Sequence, residues 1–218
     1  MYSGYTSLMP RALFLRQPQV SARLAVNRPG FSLVELLVSI AVFSFILLAV
    51  FAGTTGARDT QRVEQTAHNA ALFIKKAQSL GVGTGKFSGS AELPYGVFAA
   101  AGQPLRLFVD ENRDFHYTSG VDTVVDSFAW QEPIRLLDVC VADEASGGVL
   151  RCAKDGVKGA AVVFRRLLPD ATINPSPSGA VSRSPNRAAF LVGTTRGTNA
   201  CVEVWVTGYT AVTRGACP

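Results

Sequence analysis

Between Leu36 and Ala57 the chain runs for 22 residues without a charged side chain, and most of those positions are Leu, Ile, Val, Phe or Ala. A helix needs about 20 such residues to cross the hydrocarbon core of a bilayer. What precedes the run is its opposite: residues 1–30 hold Arg11, Arg16, Arg23 and Arg28 and no acid. A basic flank on one side predicts that residues 1–30 stay in the cytoplasm while the rest is exported. Export would carry Cys140, Cys152, Cys201 and Cys217 into an oxidising compartment, where an even count fits two disulfides.

Two processing schemes compete. A general secretory signal would be cut after the run, where Val50-Phe51-Ala52 before Gly53 is an acceptable site, but its apolar core spans only about 7 to 15 residues. The other scheme cuts before the run. Arg28-Pro29-Gly30 followed by Phe31-Ser32-Leu33-Val34-Glu35-Leu36-Leu37-Val38 resembles the type III signal of prepilins. That resemblance implies cleavage between Gly30 and Phe31 by a membrane-embedded aspartyl peptidase, then methylation of the new N-terminus on Phe31. The leader, 30 residues here, is longer than in many members of the family.

Glu35 carries the physical side of the argument. An acid inside a spanning segment costs about 2.5 to 3.5 kcal/mol on insertion scales and usually has a functional partner. The apolar segment offers no Lys or Arg, but cleavage would free the amine of Phe31 one helical turn away. In the prepilin family this pair forms between subunits, the glutamate meeting a neighbour's amine during filament assembly. The plainer reading is a carboxylate near a helix end that snorkels to the interface or takes up a proton.

Beyond the apolar run, Val63, Ala67, Ala70, Ile74 and Ala77 recur at steps of four and three, one stripe over four turns. Arg58, Asp59, Arg62, Glu64, Lys75 and Lys76 fall on the polar faces. A helix over 32–80 would be about 73 Å long. Gly81-Val82-Gly83 reads as its C-terminal cap, and Gly53 and Gly56 mark its weakest stretch. Small residues in the stripe suit packing against a sheet better than a coiled coil.

After Gly83 the pattern changes to short strand-like runs punctuated by Gly, Pro, Asn and Asp. Strands are predicted over 95–98, 105–109, 133–137, 159–167, 188–192 and 202–213, the last turning at Thr207-Gly208. Trp205 would join the packed face or a subunit contact. The Pro- and Ser-rich 174–187 reads as a mobile loop. These elements predict an α+β, pilin-like chain in which a long N-terminal helix packs on an antiparallel β-sheet domain. It divides into a leader (1–30), a transmembrane and assembly half-helix (31–57), an amphipathic half (58–80) and an exported sheet domain (84–218). The order of segments is similar to minor pseudopilins of the GspH/FimT type, through Ala70-Ala71-Leu72-Phe73-Ile74-Lys75-Lys76-Ala77-Gln78, Tyr95-Gly96-Val97, Val162-Val163-Phe164 and the hairpin around Gly208.

That resemblance favours Cys201–Cys217, closing a C-terminal loop as in many type IV pilins, and Cys140 and Cys152 enclose Gly147-Gly148 in a second candidate loop; four cysteines nevertheless allow three connectivities, all open here. Zinc is disfavoured because no Cys-x-x-Cys occurs and the two histidines are far apart in sequence. Asp110, Asn112 and Asp114 match the first positions of a calcium loop, with Asp122 near its end, although Phe115 replaces the glycine. Some major pseudopilins bind calcium; a solvated polar turn is the commoner explanation of such a cluster. His68 reads as a surface or interface residue, and His116 has no nucleophile motif beside it. No G-x-S-x-G, H-E-x-x-H or Walker-type loop occurs, so the chain reads as a structural subunit and not as an enzyme.

The expected partners are other pilin or pseudopilin subunits, the prepilin peptidase and methyltransferase, and the inner membrane before assembly into a pilus or pseudopilus. The alternative is a tip-located module that captures DNA or another ligand. The formal charge of +5 is largely the leader: without its four arginines, 17 basic residues face 16 acids. What remains is asymmetric, with 8 basic and 13 acidic residues over 31–144 but nine against three over 145–218. In the latter, Arg151, Arg165, Arg166, Arg183, Arg187, Arg196 and Arg214 are the candidate phosphate contacts.

Overall fold

The structure is a computed structural model, and the residues it describes are 30–83, 93–142, 147–177 and 185–218. The leader up to residue 29 and the central part of the Pro/Ser-rich stretch, with Arg183, lie outside them. The chain divides into two units, 1–47 and 48–218. In the first, the described residues form the opening turns of helix α1 (Leu33–Val82), and every one of them is exposed.

Among the described residues of the second unit, the rest of α1 is followed by nine strands in two antiparallel sheets. One has the order β3-β2-β1-β5-β6, from β1 (Tyr95–Ala100), β2 (Leu105–Val109), β3 (Thr123–Phe128), β5 (Gly159–Phe164) and β6 (Ala171–Ser176). The other has the order β4-β7-β8-β9, from β4 (Arg135–Ala142), β7 (Arg187–Gly193), β8 (Asn199–Trp205) and β9 (Thr210–Arg214). The stripe Val63, Ala67, Ala70, Ile74 and Ala77 is buried in one core with Val97, Leu107, Val162 and Phe164 of the first sheet. Leu136, Phe190, Val202 and Val204 of the second sheet complete that core. Burying a Val or Ile side chain contributes about 1.5–3 kcal/mol, so the stripe is enough to hold this half of α1 in place.

Several boundaries differ from the sequence expectation, each for a physical reason. The helix runs through Gly81 to Val82, so Gly81 is no cap. A Cβ there would stand 2.7 Å from the carbonyl oxygen of Phe164, and only glycine lets α1 approach β5 so closely. The strand expected from Pro133 starts at Arg135, because Ile134 N–H closes a turn onto Gln131 O, and it continues to Ala142. Strand β5 stops at Phe164; Arg165–Asp170 form an exposed turn in which Leu167 has φ of +65°.

Of the expected loop over 174–187, Asn174-Pro175-Ser176 belong to β6 and Arg187 opens β7. Pro175 is tolerated because β6 is an edge strand paired only with β5. The predicted terminal hairpin is present, with Gly208 at φ +75° and Trp205 N–H donating to Tyr209 O. Trp205 is half-buried and packs on Tyr209 at 5.3 Å.

The first sheet is covered on its other face by a strap from the connection between β2 and β3. Phe115 and Tyr117 pack there with Phe98, Phe108, Ala161 and Val163. On the outer face of the second sheet, both disulfides gather around Ala189 and Leu150. The sulfurs supply there the apolar cover that the strap gives the first sheet.

Candidate functional site

The described chain opens with Gly30 and Phe31, and α1 is started by Ser32. Val34 N–H donates to Ser32 Oγ at 3.3 Å and Leu36 N–H to Ser32 O at 3.1 Å, which makes Ser32 the N-cap. Glu35 therefore sits at the third helical position, where a carboxylate meets the positive end of the helix dipole. The Ser-x-x-Glu spacing is that of a capping box, a local reason for both residues. A Cβ added to Gly30 would meet nothing within 4 Å, so nothing among the described residues requires glycine there.

From Phe31, 80% exposed, through Phe51, 63% exposed, the large apolar side chains are exposed. Leu33–Phe51 is long and apolar enough to cross a membrane. Such a surface is stable only against lipid or against other apolar helices. The family model described as the prokaryotic N-terminal methylation motif matches residues 27–51. The chain carries a type IV prepilin-like signal. Gly30, Phe31 and Glu35 all lie inside the matched stretch. No curated protein and no solved structure matches the chain.

The globular unit of this prepilin-like chain brings together some of the other candidate residues and separates others. Cys140 pairs with Cys152 at an S–S distance of 2.01 Å, and Cys201 with Cys217 at 2.05 Å. The acidic turn is built around two buried carboxylates. Asp110 Oδ2 accepts from Phe115 N–H at 2.9 Å; Asp122 Oδ1 accepts from Glu111 N–H and its Oδ2 from Thr118 N–H. These bonds fold the strap that sets Phe115 and Tyr117 on the sheet. Asp110 Oδ1 is buried without a partner, and burial pushes the Asp110 carboxyl above its ordinary 3.8; bonds from the Phe115 and Arg113 backbone oppose this, while Asp122 and Asp114 add to it.

Asn112 and Asp114 are exposed and turned toward each other, Asn112 Nδ2 donating to Asp114 Oδ2 at 2.9 Å. No three carboxylates of the turn form a close group. Among the described residues the only close group of three metal-type donors is Asp138, Cys140 and Cys152, and those two sulfurs are joined to each other. His116 Nδ1 lies 2.8 Å from Asp114 O, and His68 is exposed on α1 beside Leu72, Thr210 and Val212.

Several arginines of the basic C-terminal region are tied to acids. Arg187 is half-buried against the buried Glu203 at 2.8 Å and also donates to Gly148 O and Pro218 O. Arg214 pairs with Glu64 at 2.7 Å, which raises its pKa, and Arg196 leans on Asp59 at 3.8 Å. Arg165 lies over the Phe115 ring at 5.5 Å. No pattern in the sequence announces these pairings, because only the fold brings their segments together.

Proposed function

We propose that this chain is the precursor of a minor pilin-like subunit of the GspH/FimT type. In this reading prepilin peptidase cuts between Gly30 and Phe31 and Phe31 is methylated. The apolar start of α1 then leaves the inner membrane for the core of a type II secretion pseudopilus or type IV pilus. Glu35 pairs with the N-terminal amine of a neighbouring subunit, and the two-sheet unit stands in the periplasm or outside the cell. The observation that carries the reading is the methylation motif over 27–51 on a segment whose large apolar side chains are exposed. Two disulfides support an exported, oxidising destination for the globular unit.

Gly30 adds a further argument. Among the described residues nothing requires glycine at position 30, and in this reading the peptidase is what selects it. The signal points to a structural subunit and not to an enzyme. The DNA-capture alternative loses ground because Arg187, Arg196 and Arg214 already face carboxylates. The test is mass spectrometry of the mature N-terminus from the native envelope: methyl-Phe31 is expected, and a mature chain starting at Gly53 overturns the reading.

A further inference from the structure

Where α1 enters the globular unit, two concave surfaces share one turn. A cleft of about 370 Å³ sets Asp59 and Arg62 of α1 against Glu132, Pro133 and Ile134 of the turn joining β3 to β4. A groove of about 550 Å³ continues from that turn to Trp130, Pro104 and Arg135. Trp130 is half-buried and fixed: its Nε1–H donates to Gln103 O at 2.7 Å, and its ring stands edge-on to Phe128 at 5.0 Å. Pro104, Ala129 and Pro133 beside it are exposed.

The charge at this end is mostly basic. Arg58 and Arg62 are exposed four residues apart on α1, hence on one face, and Arg135 is exposed at the start of β4. None of the three is paired with a carboxylate among the described residues. Asp59 is already answered by Arg196 at 3.8 Å, which leaves Glu132 as the acid facing them. Three arginines against one acid are few for a nucleic acid, which asks for a longer run of phosphate contacts.

Chain length says what this end meets. Leu33–Phe51 is the segment able to cross a membrane, and Arg58 follows Phe51 by seven residues. Seven residues cover about 10 Å as helix and at most about 25 Å fully extended. With Phe51 at the edge of the hydrocarbon, Arg58 is held within reach of the headgroup layer. Arginines for phosphates, beside a tryptophan with apolar neighbours, are the side chains that a bilayer boundary favours.

We propose that this end of the globular unit is a lipid-contact surface that rests on anionic phospholipid headgroups of the leaflet from which α1 emerges. Arg58, Arg62 and Arg135 meet the phosphates, and Trp130 sits at the boundary with the acyl chains. The proposal rests on the reading of Leu33–Phe51 as a membrane span. The contact holds the unassembled chain down on the membrane and is released when the subunit joins a filament.

The test is tryptophan quenching in proteoliposomes of the full-length chain, made from dibrominated phosphatidylcholine and phosphatidylglycerol. The chain has two tryptophans. Trp205 ends β8, whereas the turn before β8 borders the cleft through Thr194 and the groove through Thr195. Trp205→Phe therefore isolates the Trp130 signal, and Trp130→Phe isolates a distant control. Trp130 should be quenched and Trp205 should not. Arg62→Gln combined with Arg135→Gln should lower the ratio of docked to free molecules by about fivefold for each charge removed, so that Trp130 quenching is lost. High salt should do the same to the unsubstituted arginines, which keeps the test decisive if the double variant does not fold. Equal quenching of both tryptophans, or of neither, overturns the proposal, as does Trp130 quenching that survives both loss of the arginines and high salt. Alkaline extraction of the same vesicles separates the two readings. A chain that washes off refutes the span and the contact together, whereas a chain that stays without Trp130 quenching refutes the contact alone.

Discussion

Residues 30–51 and the unit from Arg58 onward handle apolar surface in opposite ways. In the first, Phe31, Leu33, Leu36 and every large apolar side chain up to Phe51 are exposed. In the second, Val63, Ile74, Phe164 and Phe190 are at most 1% exposed, and even the outer face of the second sheet is covered by paired sulfurs. A region that buries its own surface is explained by its own chain. One that leaves it bare is explained by what it meets, a bilayer or neighbouring helices. Substitutions should therefore separate cleanly: in the first region they change processing and assembly without touching folding, and in the second the reverse.

The sharpest separation is expected at Gly30. A Gly30→Val chain has room for the new side chain and should melt at the wild-type temperature. Mature protein in the envelope should nevertheless fall by more than about tenfold, since a small recognition pocket discriminates strongly against added bulk. Immunoblotting for the unprocessed form measures this, and normal processing of the variant would break the comparison. Glu35→Ala divides the region further: cleavage should proceed, while incorporation into sheared filaments is lost.

On the folded side, Phe190→Ala should cost about 3–5 kcal/mol, because the ring is fully enclosed between the second sheet and the rest of the core. Removing the Cys201–Cys217 bridge by a double serine substitution should cost about 3 kcal/mol, the value for a loop near 16 residues. Denaturant unfolding under oxidising conditions reads both. Neither change should affect cleavage before Phe31, and loss of cleavage in either would show that the two regions are not separable.

The sequence is legible where a single segment decides its own state. The 22 uncharged residues from Leu36 and the stripe from Val63 to Ala77 declare themselves by length and by period, and both helical halves follow. Strand β3 was not legible: Val124 and Val125 are exposed at a sheet edge and Asp126 is drawn to Lys76, so no alternation marks it. Strand β6 hides behind Pro175, which reads as a breaker until its edge position is known. The acidic turn shows the deeper limit. Its spacing suggests a cation loop, but whether Asp110 faces water, a metal or a backbone N–H depends on where Phe115 lands.

The smallest effect, and the one that tests the reading of that turn, is a pH dependence. The folded Asp110 carboxyl is raised above its ordinary 3.8, mainly by burial. Its favourable contribution is therefore complete below about 3.8, with the proton on, and is lost as pH rises through the raised value. At neutral pH the ionised group is a net burden on the fold. Asp110→Asn keeps an oxygen to accept from Phe115 N–H, and places an uncharged amide where Oδ1 lacks a partner. Asp122 and Asp114, whose charges push Asp110 upward, stand near enough to favour an amide in place of a second anion. The variant should melt slightly above wild type at pH 7, and that margin should close as pH falls toward 4. Asp126 runs the other way: the Lys76 ammonium, bonded at 2.6 Å, holds it below its ordinary range. Its small contribution is present above about 3.8 and fades as pH falls through the depressed value, so Asp126→Asn should lower the melting temperature most at neutral pH. A calcium loop would behave otherwise. Millimolar calcium would then raise the wild-type melting temperature and Asp114→Ala would abolish the rise, whereas a turn built on backbone bonds to Asp110 and Asp122 predicts no calcium effect.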